Sequence, residues 1–90
     1  MMKFTFSPTS PGTFIANSFS RTFVDADLVA GILTINHALG NALVDVTIRD
    51  NTGAKVMPDS DVIVDANNVD IGLASFQPLV GIWTALVVGL

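Results

Sequence analysis

His37 is the residue best suited to acid–base chemistry in this chain of 90 residues, because it is the only histidine. It lies in the segment Thr34–Asn41, TINHALGN, where an alternating apolar run stops. A catalytic histidine needs a nucleophile to activate or a carboxylate to orient its ring. Its sequence neighbours supply neither, and the chain has no G-x-S-x-G nucleophile motif. We therefore interpret His37, Leu39 and Gly40 as a structural corner that ends a strand.

The eight acidic residues are all aspartates, which could bind a metal ion or pair for acid–base catalysis. Two pairs, Asp25/Asp27 and Asp59/Asp61, have the spacing D-x-D. Neither continues as an EF-hand loop, which ends in glutamate, and one histidine without cysteine is too little for an ordinary zinc site. Aspartates at turns commonly accept backbone hydrogen bonds. We predict no metal, cofactor or catalytic residue; a cation shared by several subunits at a symmetry axis is the alternative.

Trp83 could stack on a sugar ring, but a lone tryptophan in an apolar strand usually belongs to the core. It lies in Val80–Val88, where Trp83, Ala85 and Val87 alternate with a second apolar set. A strand with two apolar faces is central in its sheet, or one face meets a partner. The surrounding segment, residues 79–90, is too short for a membrane helix, which needs about 20 residues.

The elements that would position these residues are short and separated by turn signals. Asp25–Gly31 predicts one helical turn with Asp25 as its N-cap, and Asp50–Gly53 predicts a type I turn with glycine in the left-handed region. Strands are predicted at Ser18–Val24, Ile32–Asn36, Leu43–Arg49, Ala54–Met57, Asp61–Val64, Val69–Leu73 and Val80–Val88. This spacing is typical of an all-β protein, an antiparallel β-sandwich of about seven to eight short strands.

The first thirteen residues differ from the rest, because Pro8, Pro11 and Gly12 exclude them from a sheet interior. We predict an extended N-terminal arm at 1–13 and a single β-sandwich domain at 14–90. An exposed aromatic arm needs a surface to cover it. The predicted partner contacts are therefore Phe4, Phe6, Pro8, Pro11 and Phe14; a frayed terminus is the alternative.

The composition favours a protein partner. Half the residues are apolar and only 13% are charged, against about a quarter in typical domains. A net charge of −4 with four scattered cations argues against nucleic acid. No signal peptide or membrane segment is expected. Without cysteine, a small domain is commonly stabilised by oligomerisation.

Five motifs in order resemble a small β-sandwich module of bacteriophage virion proteins, found in tail-fibre and receptor-binding chains and in capsid or tail decoration. The resemblance covers about residues 19–90 and excludes the arm. The motifs are F-x-x-A-D-L-x-A-G-x-L at Phe23–Leu33, T-x-x-H-x-L-G at Thr34–Gly40, V-x-V/I-x-D-N-x-G at Val46–Gly53, V-D-A-N-x-V at Val64–Val69, and S-F with a final G-x-W at Ser75–Trp83.

The resemblance implies a non-enzymatic building block that trimerises or packs in arrays, without catalytic residues. Read as a free-standing chain with an arm, the sequence leads us to expect a capsid decoration (cement) protein that bridges major capsid subunits. Its expected partners are itself, as a homotrimer, and the major capsid protein or other virion proteins, with no nucleic acid and no membrane. It would be made in the host cytoplasm and end in the virion. The alternative is a tail-fibre or receptor/glycan-binding tail module.

Overall fold

The computed structural model describes residues 17–90, which form seven strands in two antiparallel sheets. One sheet has the order β1-β7-β3-β4 and the other β2-β6-β5. The predicted all-β sandwich is therefore confirmed, whereas the arm and its five contact residues (Phe4, Phe6, Pro8, Pro11 and Phe14) lie outside the described residues. The strands are β1 Ser18–Phe23, β2 Ile32–Asn36, β3 Val44–Arg49, β4 Lys55–Val56, β5 Ser60–Asp65, β6 Asn68–Gly72 and β7 Trp83–Gly89.

The core lies between the sheets because most strands present one apolar face. In β7, Trp83, Ala85 and Val87 are buried while the residues between them are exposed. As predicted, β7 is central: it pairs with β1 on one side and with β3 on the other. The second sheet contributes the adjacent pairs Leu33–Ile71 and Ile35–Val69, all of them buried. Each buried aliphatic side chain of this size contributes about 1.5–3 kcal/mol.

The β3–β4 hairpin closes as its sequence predicts. The Gly53 N–H donates to the Asp50 carbonyl (3.0 Å), and the Asp50 N–H donates to the Ala54 carbonyl (2.9 Å). Gly53 has φ +88°, a conformation that glycine adopts without steric cost. The Asp50 carboxylate also accepts the N–H groups of Thr52 and Ala54, which fixes the turn.

The predicted helical turn at Ala26–Ala30, with Asp25 as N-cap, is wrong. A short 3₁₀ turn covers only Asp25–Asp27, and Asp27 rather than Asp25 caps it, accepting the Val24 N–H at 2.8 Å. The chain then reverses between Val29 and Ile32, which exchange both backbone hydrogen bonds at 2.9 Å. Ala30 and Gly31 both have positive φ, and two such residues cannot continue a right-handed helix.

A second 3₁₀ turn, Ala74–Phe76, leads from β6 towards β7. Within residues 17–90, helical structure is too short and too polar to cross a membrane. Strands and their connecting loops therefore position every surface described below.

Candidate protein-contact surfaces

The described surface exposes more large apolar side chains than the core buries. Within residues 17–90, thirteen large hydrophobic residues are exposed and eleven hydrophobic residues form the core. Isolated exposed apolar residues are normal, but clusters mark contact sites. Twelve of the exposed residues fall at one end of the sandwich, along β5, on the outer face of β7, and beside the C-terminus; the thirteenth, Met57, lies between β4 and β5.

The first cluster is at the end where β1 leaves and β7 begins; we call it the loop end and define it by Val24, Val29, Phe76, Val80 and Ile82. Val29, Val80 and Ile82 are 77%, 69% and 62% exposed. They lie on two loops, before β2 and before β7, so sequence distance conceals that they share one end of the sandwich.

The Asp25 carboxylate joins these two loops. Its Oδ1 accepts the Leu79 backbone N–H at 2.9 Å and the Gln77 side-chain amide at 3.1 Å. These donors lower the pKa of Asp25, with the Leu79 N–H the larger cause. The Leu73 N–H also donates to the Gly31 carbonyl at 2.8 Å. These hydrogen bonds therefore fix the two loops that carry the apolar residues of the loop end to each other.

Trp83 lies beneath this surface as a core residue. It is 6% exposed, its indole Nε1 donates to the Val80 carbonyl at 3.1 Å, and its ring packs against Phe23 and Phe76. The Phe76 and Trp83 ring centroids are 6.0 Å apart in an edge-on arrangement. Trp83 thus offers no free ring face on which a sugar could stack.

The second cluster is β5, which forms an edge of the three-stranded sheet. It pairs with β6 and, among the described strands, with no other. All six of its residues are exposed, including three consecutive aliphatic residues: Val62 at 55%, Ile63 at 44% and Val64 at 53%. An exposed aliphatic edge is a template for adding another strand.

A groove of about 270 Å³ runs beside the start of β5, where the chain crosses from one sheet to the other. Its apolar lining includes Val46, Val56 and Met57, and its charged lining is Asp45, Lys55 and Asp61. Partial burial, and then the nearby charge of Asp45, raise the pKa of Asp61. Among residues 17–90 the Asp61 carboxylate makes no ion pair, although Lys55 lines the same groove.

The predicted corner is built around a buried imidazole. His37 is 2% exposed, and its Nδ1 accepts the Leu39 N–H at 3.2 Å. The other ring nitrogen, Nε2, is buried and has no hydrogen-bond partner among residues 17–90. Leu39 packs against the core, and Gly40 has φ +65°. The structure thus places these three residues in one corner, and a ring so deeply buried presents no nitrogen to a substrate.

The four aspartates of the two D-x-D pairs lie in different surroundings. Asp27 caps its own turn and lies 3.6 Å from the Arg21 guanidinium. Asp59 accepts the hydroxyl and the N–H of Ser75, sixteen residues away, and the hydroxyl is the larger cause of its lowered pKa. Across the described part of the chain, no three acidic or histidine side chains are grouped as a metal site would need.

Sequence reasoning missed the long-range roles of Asp25 and Asp59. Each caps a backbone N–H in the loop at 74–79, which the sequence shows only as a proline-containing loop. No local signal identifies these roles, because an aspartate at a turn can bond to its own turn or to water, and the distant donors are brought near only by the fold. Asp65 is the local case, since it accepts the Asn67 N–H at 2.8 Å.

The chain was compared with protein-family models, with curated proteins and with solved structures, and no match was found in any of the three.

Proposed function

We propose that this chain is a non-enzymatic structural module that acts by binding other protein chains, including copies of itself. The observation that carries the proposal is the clustered apolar surface at the loop end and along β5. A soluble protein rarely leaves such clusters open, because covering them with a partner removes apolar area from water. The low charge of the chain supports the same function, since a protein interface is depleted of charged residues at its centre.

Within this class, we propose a capsid decoration protein of a bacteriophage, which forms homotrimers and bridges major capsid subunits. The support is the resemblance of five ordered motifs to virion modules, together with the β-sandwich fold. In this function the loop end and β5 are the surfaces that copies and capsid subunits cover. No step of the function needs a cofactor or a reacting group.

The tail-module alternative depends on a different surface, the outer face of the four-stranded sheet. A groove of about 330 Å³ there is lined by Ser20, Thr47, Arg49, Thr84 and Leu86. Its hydroxyl and guanidinium groups could hydrogen-bond to a sugar, but none of its lining residues within 17–90 is aromatic, and Trp83 is buried. We therefore favour decoration over glycan binding.

Electron microscopy of virions labelled with an antibody against the purified chain tests the proposal. The virions are purified from cells that produce the phage encoding the chain, and antibody adsorbed with the purified chain is the control. Regular labelling of the capsid shell supports decoration. Labelling restricted to the tail supports the tail module and contradicts decoration, and the absence of the chain from intact virions contradicts both.

A further inference from the structure

The free edge of β5 carries an acidic residue at each end of its aliphatic run. These two charges restrict which strands can pair with the edge. Asp61 and Asp65 flank Val62–Val64 in the sequence SDVIVD. If two β5 strands paired antiparallel in the register that matches all three aliphatic residues, Asp61 of each copy would lie opposite Asp65 of the other. Like charges directly opposite one another destabilise a strand pair. The edge therefore disfavours a second β5 and favours an apolar strand that carries a cation.

Among the four basic residues, Lys3 best fits this requirement. Arg21 lies beside Asp27, the Arg49 guanidinium donates to the Gly53 carbonyl at 3.0 Å, and Lys55 belongs to β4. Lys3 begins the segment Lys3–Phe6, KFTF, in which Phe4 and Phe6 alternate with Thr5. Alternation with aromatic residues favours a strand, and Pro8 would end its pairing.

We propose that Lys3–Phe6 of one copy adds as a strand to the free edge of β5 in a neighbouring copy, with the Lys3 ammonium beside Asp61 and Asp45. Strand addition of this kind gains affinity from main-chain hydrogen bonds and specificity from side-chain pockets. This inference rests on the proposed function, because it identifies one contact through which copies of the module bind each other.

The groove beside β5 fits the lysine that such a strand would bring. With the Lys3 ammonium at Asp61, its methylene stem would lie on the apolar lining, Val46, Val56 and Met57, of which Met57 is 81% exposed. Successive strand residues point to opposite faces, so Phe4 and Phe6 would lie on the other face of the sheet, beside the exposed Val62 and Val64. A lysine placed at the Asp45 and Asp61 carboxylates would relieve the repulsion between them. Lys55 also lines the groove but makes no ion pair with the described residues.

Charge exchange between copies tests the proposal in the full-length chain, with sedimentation equilibrium as the measurement. Lys3→Asp places an acid against the acidic edge, and Asp61→Lys places a cation against Lys3. We expect each variant alone to self-associate about tenfold more weakly than the wild type. An equimolar mixture should recover association, because the arm of the first variant matches the edge of the second. Recovery in the mixture requires contact between different copies.

Thr9→Asp is the control, since it adds an acid to the same N-terminal segment but outside Lys3–Phe6. It should not weaken association. Equal weakening by Thr9→Asp and Lys3→Asp, or a mixture that stays weak, would overturn the strand addition. Wild-type association that neither single variant changes would overturn it too while leaving the structural module in place. A wild-type monomer at high micromolar concentration would contradict self-association in both proposals.

Discussion

The polar residues of this chain act mainly by holding backbone in place. Asp27 and Asp50 accept N–H groups of their own turns, and a turn sequence predicts this general role, although it predicted Asp25 rather than Asp27 as the cap of the first turn. Asp25 and Asp59 instead cap loops that are distant in sequence. Those roles could not be predicted, because they depend on which loops the two sheets bring together. The burial of His37 is a different case, because it continues the alternation of buried Leu33 and Ile35 by one residue past the end of β2.

Acid should weaken the fold through these carboxylates. Hydrogen bonds lower the pKa of Asp59 below its unfolded value of 3.8, with the Ser75 hydroxyl the main cause. The unfolded chain then takes up protons first as the pH falls, so the stabilisation present above 3.8 is lost as the pH falls through the folded pKa. Asp25, Asp50 and Asp65 shift in the same direction.

Asp59→Asn tests this dependence, because asparagine keeps an acceptor oxygen but cannot ionise. Urea unfolding at a series of pH values should show a smaller loss of stability in acid for this variant than for the wild type. Asp61→Asn should have the opposite effect on stability. Because the pKa of Asp61 is raised in the folded protein, its charge disfavours folding at neutral pH, and removing that charge should slightly increase the free energy of unfolding. Parallel pH profiles for the wild type and Asp59→Asn would contradict the assigned role.

At the scale of elements, alternation located the strands well. β3 and β6 lie within one residue of their predicted bounds, because period-two patterns follow directly from strand geometry. β7 begins at Trp83, three residues later than predicted, because Val80–Ile82 belongs to the preceding loop. The segment Asp25–Gly31 was misread as a helical turn, since Asp, Ala and Gly satisfy both a capped turn and a reverse turn. Pairing decided between them: β2 pairs with β6, and the chain must reverse at Ala30–Gly31 to enter it.

Glycine substitutions separate backbone strain from close packing at these turns. Gly31 has φ +79°, and a Cβ there would lie 2.6 Å from the Ala74 Cβ, whereas Gly40 has φ +65° with no atom within 4 Å. Gly40→Ala should cost about 1–2 kcal/mol of unfolding free energy from strain alone. Gly31→Ala should cost about 1–3 kcal/mol more because of the added overlap. Chemical denaturation measures both, and equal losses would contradict the tight contact between the two loops.

At the scale of the whole molecule, sequence patterns predicted the apolar faces but not which of them stay open. The run Val62–Val64 resembles a buried strand, yet β5 is an edge and all three residues are exposed. The loop end was not predicted either, because its apolar residues come from two separate loops. The order of the strands in the sheets decides that both β5 and the loop end stay exposed. Strand order depends on long-range pairing, which the period-two pattern of apolar residues cannot predict.

Sedimentation equilibrium of the full-length wild-type chain, from low to high micromolar concentration, tests the central claim most directly. The claim is that the exposed apolar surfaces serve contact between chains, so the average mass should rise with concentration above that of one copy. Replacing Val80 and Ile82 with serine reduces apolar area at the loop end without touching the core, and it should shift the rise to higher concentration if copies meet there. A wild-type chain that remains a monomer throughout the range would contradict the claim.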